Sequence, residues 1–258
     1  MGDNPELTVV LPVYNEAGCI GSLIGEIAAA TTGRCVSVEI IVVNDASQDG
    51  SADEITTAFE TVVRTCGNGS KTTVFSTRQI VQPRRMGQSV ALLTGFRAAH
   101  GSMILSMDAD GQYDPAEIPR FLEMMATADM VCGWRANRSD GRARRITSLI
   151  ANAVRNMITG DTLTDAGCTF RIMRAQCREA IGPLEGRFSG CEFFFHPLFI
   201  RLGGFTVKEL PVAHRPRKGG SSHYHLVRGR WYNGLVDSVK AARLAKSLHK
   251  RKKTPPVS

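Results

Sequence analysis

Along the first half of the chain, the pattern of apolar and polar positions repeats one unit. A short unbroken apolar run is followed by a longer stretch with apolar residues at helical spacing. Leu7–Pro12 is a β-branched apolar run that stops at a proline and reads as a buried strand. Val36–Val43 is the clearest such run, and Thr72–Ser76 and Met103–Met107 supply a third and a fourth. The intervening segments Ile20–Ala30, Ser51–Val63 and Gln88–Ala99, and Pro115–Met125 after the fourth run, carry helical periodicity. Ser51 and Glu54 have the spacing of a capping box, and Pro115 suits the first turn of the last helix. This alternation predicts an α/β fold, a mostly parallel sheet with helices on both faces. Ligands of such sheets bind beyond the carboxyl ends of the strands, so the residues after each apolar run are where chemistry is expected.

The second half is less regular. Arg135–Arg145, rich in Arg, Asn and Asp, is expected to be a mobile basic loop. Ile146–Ile158 and Phe193–Leu202 read as helices, Phe205–Val212 as a strand, and His214–Tyr224 as a Gly/Ser/Arg-rich loop. Phe193, Phe194 and Phe195 are expected in the core. Arg228–Lys250 is a basic helix, followed by a tail containing Pro-Pro. With no internal repeat and no clear linker, residues 1–227 form one domain, and 228–258 pack on it or extend it. Trp231, Leu235, Val239 and Ala242 recur at helical spacing among Lys240, Arg243 and Lys246. Such a helix either lies in a membrane interface, drawn to anionic lipid, or packs on the domain.

Composition narrows the function classes. The 258 residues are 43% hydrophobic and 22% charged, which supports a real core and excludes collagen-like or disordered composition. No run approaches the ~18 apolar residues of a membrane span, and the first residues lack the basic and apolar regions of a signal peptide. Seven cysteines without CxxC or Cys/His spacing point to free thiols in a reducing, cytoplasmic setting and away from a zinc site. The net charge of +8 conceals an asymmetry: residues 1–133 hold 8 Lys/Arg and 16 Asp/Glu, leaving 24 and 8 for the remainder. A basic half of this kind is expected to face phosphates, on a nucleotide, a nucleic acid or a membrane.

Candidate chemistry lies after the strands. The fourth run leads into Asp108-Ala109-Asp110-Gly111-Gln112. In an extended segment, residues at i, i+2 and i+4 project to one side, so Asp108, Asp110 and Gln112 could offer three oxygens to Mg²⁺ or Mn²⁺. A turn capping the helix at Pro115 explains the same residues equally well. The first run is followed by Tyr14-Asn15-Glu16 and the second by Asn44-Asp45-Ala46-Ser47-Gln48-Asp49-Gly50, polar acceptors and an aromatic suited to a nucleoside. No GxGxxG follows the first strand and no GxxxxGK[ST] occurs, which weighs against dinucleotide binding and excludes a P-loop.

These motifs come in a telling order: Leu-Pro-Val-Tyr-Asn-Glu (11–16), Asn-Asp-Ala-Ser-Gln-Asp-Gly (44–50), Met-Gly-Gln-Ser (86–89), Met-Asp-Ala-Asp-Gly-Gln (107–112), Asp-Ala-Gly-Cys-Thr-Phe-Arg (165–171) and His-Arg-Pro-Arg-Lys-Gly-Gly-Ser (214–221). Over roughly residues 7–245 the chain resembles family 2 glycosyltransferases, most of all the dolichol/polyprenol-phosphate mannosyltransferase group. The resemblance implies a GT-A fold, a nucleotide-diphosphate sugar donor (GDP- or UDP-linked), Mg²⁺ or Mn²⁺, and a polyprenyl phosphate acceptor. By the same resemblance, Pro12, Tyr14, Glu16 and Asp45 would hold the donor nucleoside. Asp108, Asp110 and Gln112 would serve metal and diphosphate. Arg135 and Arg217 would engage phosphates, with Arg144, Arg145, Ser148 and Ser221 toward the acceptor. Two departures stand out: Ser221 is followed by Ser222 and His223 rather than lysine, and Gly190-Cys191-Glu192-Phe193 differs from some bacterial relatives.

The implied reaction is an inverting transfer at the cytosolic face of a membrane. An acceptor phosphate monoester, with a second pKa near ~6, is already a nucleophilic anion at neutral pH, so no catalytic base is required. For His214, a structural role is expected over a basic one. An acceptor hydroxyl, in a saccharide or glycolipid, would instead need a general base outside Asp108 and Asp110. Nucleic-acid binding by the basic half is disfavoured, because few aromatics interleave with the bases and no recognition motif appears.

Overall fold

A computed structural model describes residues 4–66, 73–137, 142–188, 190, 192–217 and 228–253. Seven strands form one sheet: β1 (Leu7–Val13), β2 (Ser37–Asn44), β3 (Val74–Val81), β4 (Met103–Ser106), β5 (Met130–Asn137), β6 (Arg171–Arg174) and β7 (Val207–Ala213). The helices are α1 (Ile20–Thr31), α2 (Ser51–Cys66), α3 (Gln88–Ala98), α4 (Ile118–Met124), α5 (Arg142–Thr159), α6 (Arg178–Ile181), α7 (His196–Leu202) and α8 (Arg228–Lys253). The strand order is β3-β2-β1-β4-β6-β5-β7. Only β6 runs antiparallel, pairing with β4 on one side and β5 on the other, while β5 and β7 pair in parallel.

The sheet is buried on both faces, which is why its central strands are unbroken apolar runs. In β1, Val9, Leu11 and Val13 join the core beneath α1, α2 and α4, whereas Val10 points to the opposite core. The same two-residue alternation divides Val38, Ile40 and Val42 of β2 from Ile41 and Val43. That second core is built from α3, α6, α7 and α8, with Phe193, Phe195 and Phe199 buried in it as expected from their apolar run. At roughly 1.5–3 kcal/mol for each fully buried large side chain, these two layers dominate stability. Close approach matters at Gly95 on α3: a Cβ there would lie 2.2 Å from Val10 Cγ1 and 3.3 Å from Val43 Cγ2.

Several local expectations are corrected. The segment Arg135–Arg145 is not simply a loop: Arg135 and Asn137 end β5, and α5 already begins at Arg142. β3 begins at Val74 and runs on to Val81, beyond the predicted Ser76. Ser51 and Glu54 do not form a capping box. Ser51 N donates to Asp49 Oδ1 (3.0 Å), and Glu54 reaches across to the start of α1, accepting from Gly18 N (2.6 Å) and Gly21 N (2.8 Å). Tertiary approach thus gives Glu54 the orphan amides of a neighbouring helix. Helix α8 continues to Lys253; the tail beyond it lies outside the described residues, as does the Lys218–Tyr224 part of the predicted His214–Tyr224 loop. α8 buries Asp237, Ser238, Ala241 and Ala245 and leaves Leu235 and Val239 exposed, so the predicted apolar stripe is not the face that packs. Trp231's side chain lies outside the described residues.

Candidate active site

The chain visits β1, β2 and β3 on one side of the sheet and then returns to place β4 on the other side of β1. Adjacent loops therefore diverge at the carboxyl ends of β1 and β4, leaving a crevice. Four charged side chains meet there: Glu16 after β1, Asp108 and Asp110 after β4, and Arg217 from the segment after β7. Arg217 donates to Glu16 Oε1, and its Nη1 lies 3.9 Å from Asp110 Oδ2.

Crowded carboxylates leave their mark on protonation. Burial, followed by the nearby Asp110 charge, pushes the pKa of Asp108 up to about 7, against the favourable influence of Thr169 and Arg135. Burial also raises Glu16 to about 7; Arg217 opposes that shift and Asp110 adds to it. Glu16 Oε2 is buried without a hydrogen-bond partner among the described residues. Negative charge is thus concentrated beyond what Arg217 alone offsets, the condition that a divalent cation relieves. Two carboxylates with open positions around them fit Mg²⁺ or Mn²⁺, whose other ligands are water and substrate phosphate. Among the described residues no group of three or more His, Cys, Asp or Glu side chains is placed to hold a metal ion by itself.

The segment holding the aspartates is not extended. β4 ends at Ser106, Gly111 takes φ +72°, and Asp110 Oδ1 accepts from Gln112 N at 3.0 Å, so the chain turns. Asp108, Asp110 and Gln112 therefore lie on a turn and not on one extended edge. Gln112 directs its amide nitrogen to the Arg215 carbonyl at 3.5 Å, while its own backbone carbonyl accepts from Arg215 N at 2.7 Å. These contacts pin the 215–217 segment beside the aspartates. Arg215 is further held by Glu26 (2.9 Å) and Asp114. Asp114 also accepts from Ala116 N at 2.9 Å, so helix capping belongs to it. His214 bridges to Tyr113 and packs edge-on to its ring at 5.7 Å, consistent with a structural role.

The other expected residues are placed as follows. Pro12 lies half-buried in β1, and Tyr14 is half-buried with the Arg85 guanidinium 4.1 Å from its ring centroid. Asp45 is buried, its two oxygens accepting from Met86 N (2.6 Å) and Gly87 N (2.8 Å). Arg135 forks onto Asp165 through Nε (2.7 Å) and Nη2 (2.9 Å). Ser148 is half-buried on the second turn of α5. Arg144 and Arg145 sit in the first turn of α5, but their side chains lie outside the described residues, as does Ser221.

Sequence reasoning left Gln88 and Asp165 without roles, although both fall inside the quoted motifs. Gln88 Nε2 donates to Asp108 Oδ1 from the first residue of α3. Asp165 meets Arg135 across a separation of 30 residues, and Asn152 of α5 steadies the adjoining turn by accepting from Ala166 N at 3.2 Å. Only the three-dimensional pairing reveals either contact. Asp49 likewise ties the loops together, accepting from Ala17 N at 3.0 Å.

Comparison with known proteins agrees with this arrangement. The sequence profile described as Glycosyl transferase family 2 matches residues 8–182. The undecaprenyl-phosphate 4-deoxy-4-formamido-L-arabinose transferase of Serratia proteamaculans (strain 568) is 32% identical over 224 residues, covering 86% of this chain and 64% of that protein. Its namesake from Pseudomonas aeruginosa (strain LESB58) is 32% identical over 223 residues, covering 86% and 61%. The chain therefore spans less than two thirds of the length of these relatives. Among solved structures, glucosyl-3-phosphoglycerate synthase from Mycobacterium tuberculosis, in complex with Mn²⁺, UDP-glucose and phosphoglyceric acid, superposes with a TM-score of 0.63 at 19% identity, covering 94% of this chain and 79% of that one. A mannosyltransferase from Pyrobaculum calidifontis in complex with GDP-Man and Mn²⁺ gives a TM-score of 0.56 at 16% identity, covering 98% and 77%. The sheet and its flanking layers are those of the GT-A fold. Motif order, crevice and profile together place this chain in glycosyl transferase family 2.

Proposed function

We propose that the chain transfers a hexose, with inversion, from a nucleotide-diphosphate sugar to the phosphate of a polyprenyl phosphate. The observation that carries this reading is the meeting of Glu16, Asp108, Asp110 and Arg217 at the divergence of β1 and β4. Tyr14, backed by Arg85, and the loops after β1 and β2 line the nucleoside side. Asp108 and Asp110 would hold Mg²⁺ or Mn²⁺, which when bound supplies positive charge to the diphosphate leaving group. Gln88 orients Asp108, and Gln112 fixes the backbone that carries Arg217. Arg217 then swings from Glu16 and Asp110 toward phosphate oxygens, where a guanidinium fork binds well. The acceptor phosphate is itself the nucleophile, so positioning and electrostatics suffice. The names of the bacterial relatives favour a lipid phosphate over a hydroxyl acceptor.

No described helix is long and apolar enough to cross a membrane. Yet α5 exposes Ile146, Leu149, Ile150 and Met157, and α8, packed against α5, exposes Leu235 and Val239. Basic residues accompany both helices in the sequence. This combination suits peripheral attachment to anionic lipid on the cytosolic face.

The test is a panel of GDP- and UDP-sugars incubated with purified full chain, a short polyprenyl phosphate, and Mg²⁺, Mn²⁺ or EDTA. Metal-dependent sugar transfer to the lipid phosphate is expected. Turnover confined to a saccharide hydroxyl would replace this reading with the hydroxyl-acceptor one.

A further inference from the structure

At the end of the sheet farthest from β7, β3 pairs with β2 and with no other strand among the described residues. Val74 N donates to Val36 O and Gln82 N to Asn44 O, both at 2.9 Å, so the amides at even positions face β2. Alternation along the strand then turns the N–H and C=O groups of Phe75, Thr77, Gln79 and Val81 outward, away from β2. Protein edges of this kind are usually blunted by proline, lysine or a bulge. β3 is eight residues long, contains neither proline nor lysine, and keeps an unbroken register with β2 from Ser37↔Val74 to Asn44↔Val81. Apolar surface accompanies the open backbone. Val74 is 65% exposed and Val81 64%, and Val36 beside Val74 and Val63 on α2 are exposed as well.

We propose that this edge binds the same edge of a second copy of the chain, the two β3 strands pairing antiparallel about a two-fold axis that passes through Thr77 normal to the sheet. Such an axis keeps each face of the sheet on its own side, so residues of equal parity stand opposite one another. With the centre at Thr77, the outward backbone groups fall into hydrogen-bonded pairs, Thr77 with Thr77 and Phe75 with Gln79. On the α3 face of the sheet, where Ile80 packs, Val74 stands opposite Ile80 and Ser76 opposite Arg78. The one charged side chain of the strand thus meets a hydroxyl, whereas a centre at Arg78 would set two guanidinium groups against each other. Helix α2 adds charge complementarity. It packs on β3 and runs opposite to it, so the exposed Asp53 of its first turn and the exposed Arg64 of its last turn exchange ends across the axis. Because the axis is normal to the sheet, α8 of both copies, packed in the α3-side core, lies on the same side of the joined sheet. The pairing leaves both crevices open and does not depend on which acceptor the chain glycosylates.

The test is sedimentation equilibrium of the full chain over the micromolar range, where a reversible monomer–dimer equilibrium is expected. Ser76 is exposed, and each change there acts twice across the axis. Ser76→Arg should raise the dimer Kd about tenfold by facing Arg78, and Ser76→Glu should lower it about tenfold by pairing with it. Thr77→Pro removes an N–H that β2 does not use, so it should abolish the dimer while circular dichroism reports a folded monomer. Should Thr77→Pro fail to fold, the opposite signs of the two Ser76 variants decide the matter. A chain that stays monomeric throughout, a dimer that survives in folded Thr77→Pro, or the same Kd for Ser76→Arg and Ser76→Glu would each overturn the proposal. So would a dimer dissociated by Leu149→Glu with Ile150→Glu, which would move the contact to α5.

Discussion

Replacing Asp45 by Asn tests whether this carboxylate serves the donor nucleoside directly or acts by holding a loop. Both its oxygens are engaged inside the protein, by Met86 N at 2.6 Å and Gly87 N at 2.8 Å, and the residue is only 3% exposed. Asn can accept one of those amide protons, but its NH₂ must face the other. One charge-assisted hydrogen bond is lost, and a backbone N–H and a new amide donor are left confronting each other in a buried place. A hydrogen bond to a charged group contributes about 1.5–3 kcal/mol and an unsatisfied buried donor costs about 1–3 kcal/mol, so a net loss of about 2–4 kcal/mol is expected. For a chain of this size that lowers Tm by about 5–15 °C. Gly87, at φ +94°, precedes α3, whose first residue Gln88 donates to Asp108. Activity should therefore fall along with stability. The assay pairs circular-dichroism melts with initial rates over a range of donor concentrations. A Tm within about 1 °C of the parent, with only the donor KM raised, would show that the tether is unimportant and that Asp45 meets the nucleoside.

Four further outcomes are expected. Asp110→Asn should abolish transfer while leaving Tm unchanged or slightly higher, because it removes repulsion from Asp108 and Glu16; undiminished turnover with Mn²⁺ would refute the metal role. Gly95→Ala should cost about 1–3 kcal/mol by overpacking against Val10, read as a lower urea midpoint, and an unchanged midpoint would contradict the close approach. Burial acts to raise the pKa of Glu39, but hydrogen bonds from His100 N (2.9 Å), Thr8 Oγ1 (2.7 Å) and the His100 ring (2.9 Å) bring it below the ordinary value of 4.5. A depressed carboxyl contributes stability above its unfolded pKa and loses it as pH falls through the folded one. Melts of parent and Glu39→Gln should therefore differ at pH 7 and converge in acid well below 4.5, and a constant difference would show that the carboxylate's charge is irrelevant. Finally, Leu149→Glu with Ile150→Glu should reduce co-sedimentation with anionic vesicles while preserving Tm, since both side chains are more than half exposed; equal binding would remove α5 from the membrane contact.

Much of the architecture was legible in the residue pattern because burial on two faces imposes a local signature. β1, β2 and β4 are runs of apolar residues, and α1 to α3 show their periodicity without reference to anything distant. The order of the motifs likewise carried the family and the two aspartates. What escaped was whatever depends on partners far along the chain. β6 is four residues long with arginine at both ends, and Arg171 becomes a core residue only because the carbonyls of Phe193 and Ala166 receive its guanidinium. β5 mixes Gly, Trp and Arg, and it is recognisable as a strand only once β6 and β7 flank it. Glu54 and Asp45 each carry an obvious local role, as a cap and in a turn, and Asp165 carries none, yet each is claimed by a segment 30 or more residues away. A carboxylate's preference is set by which unsatisfied donors reach it first, and that is decided by how the layers pack.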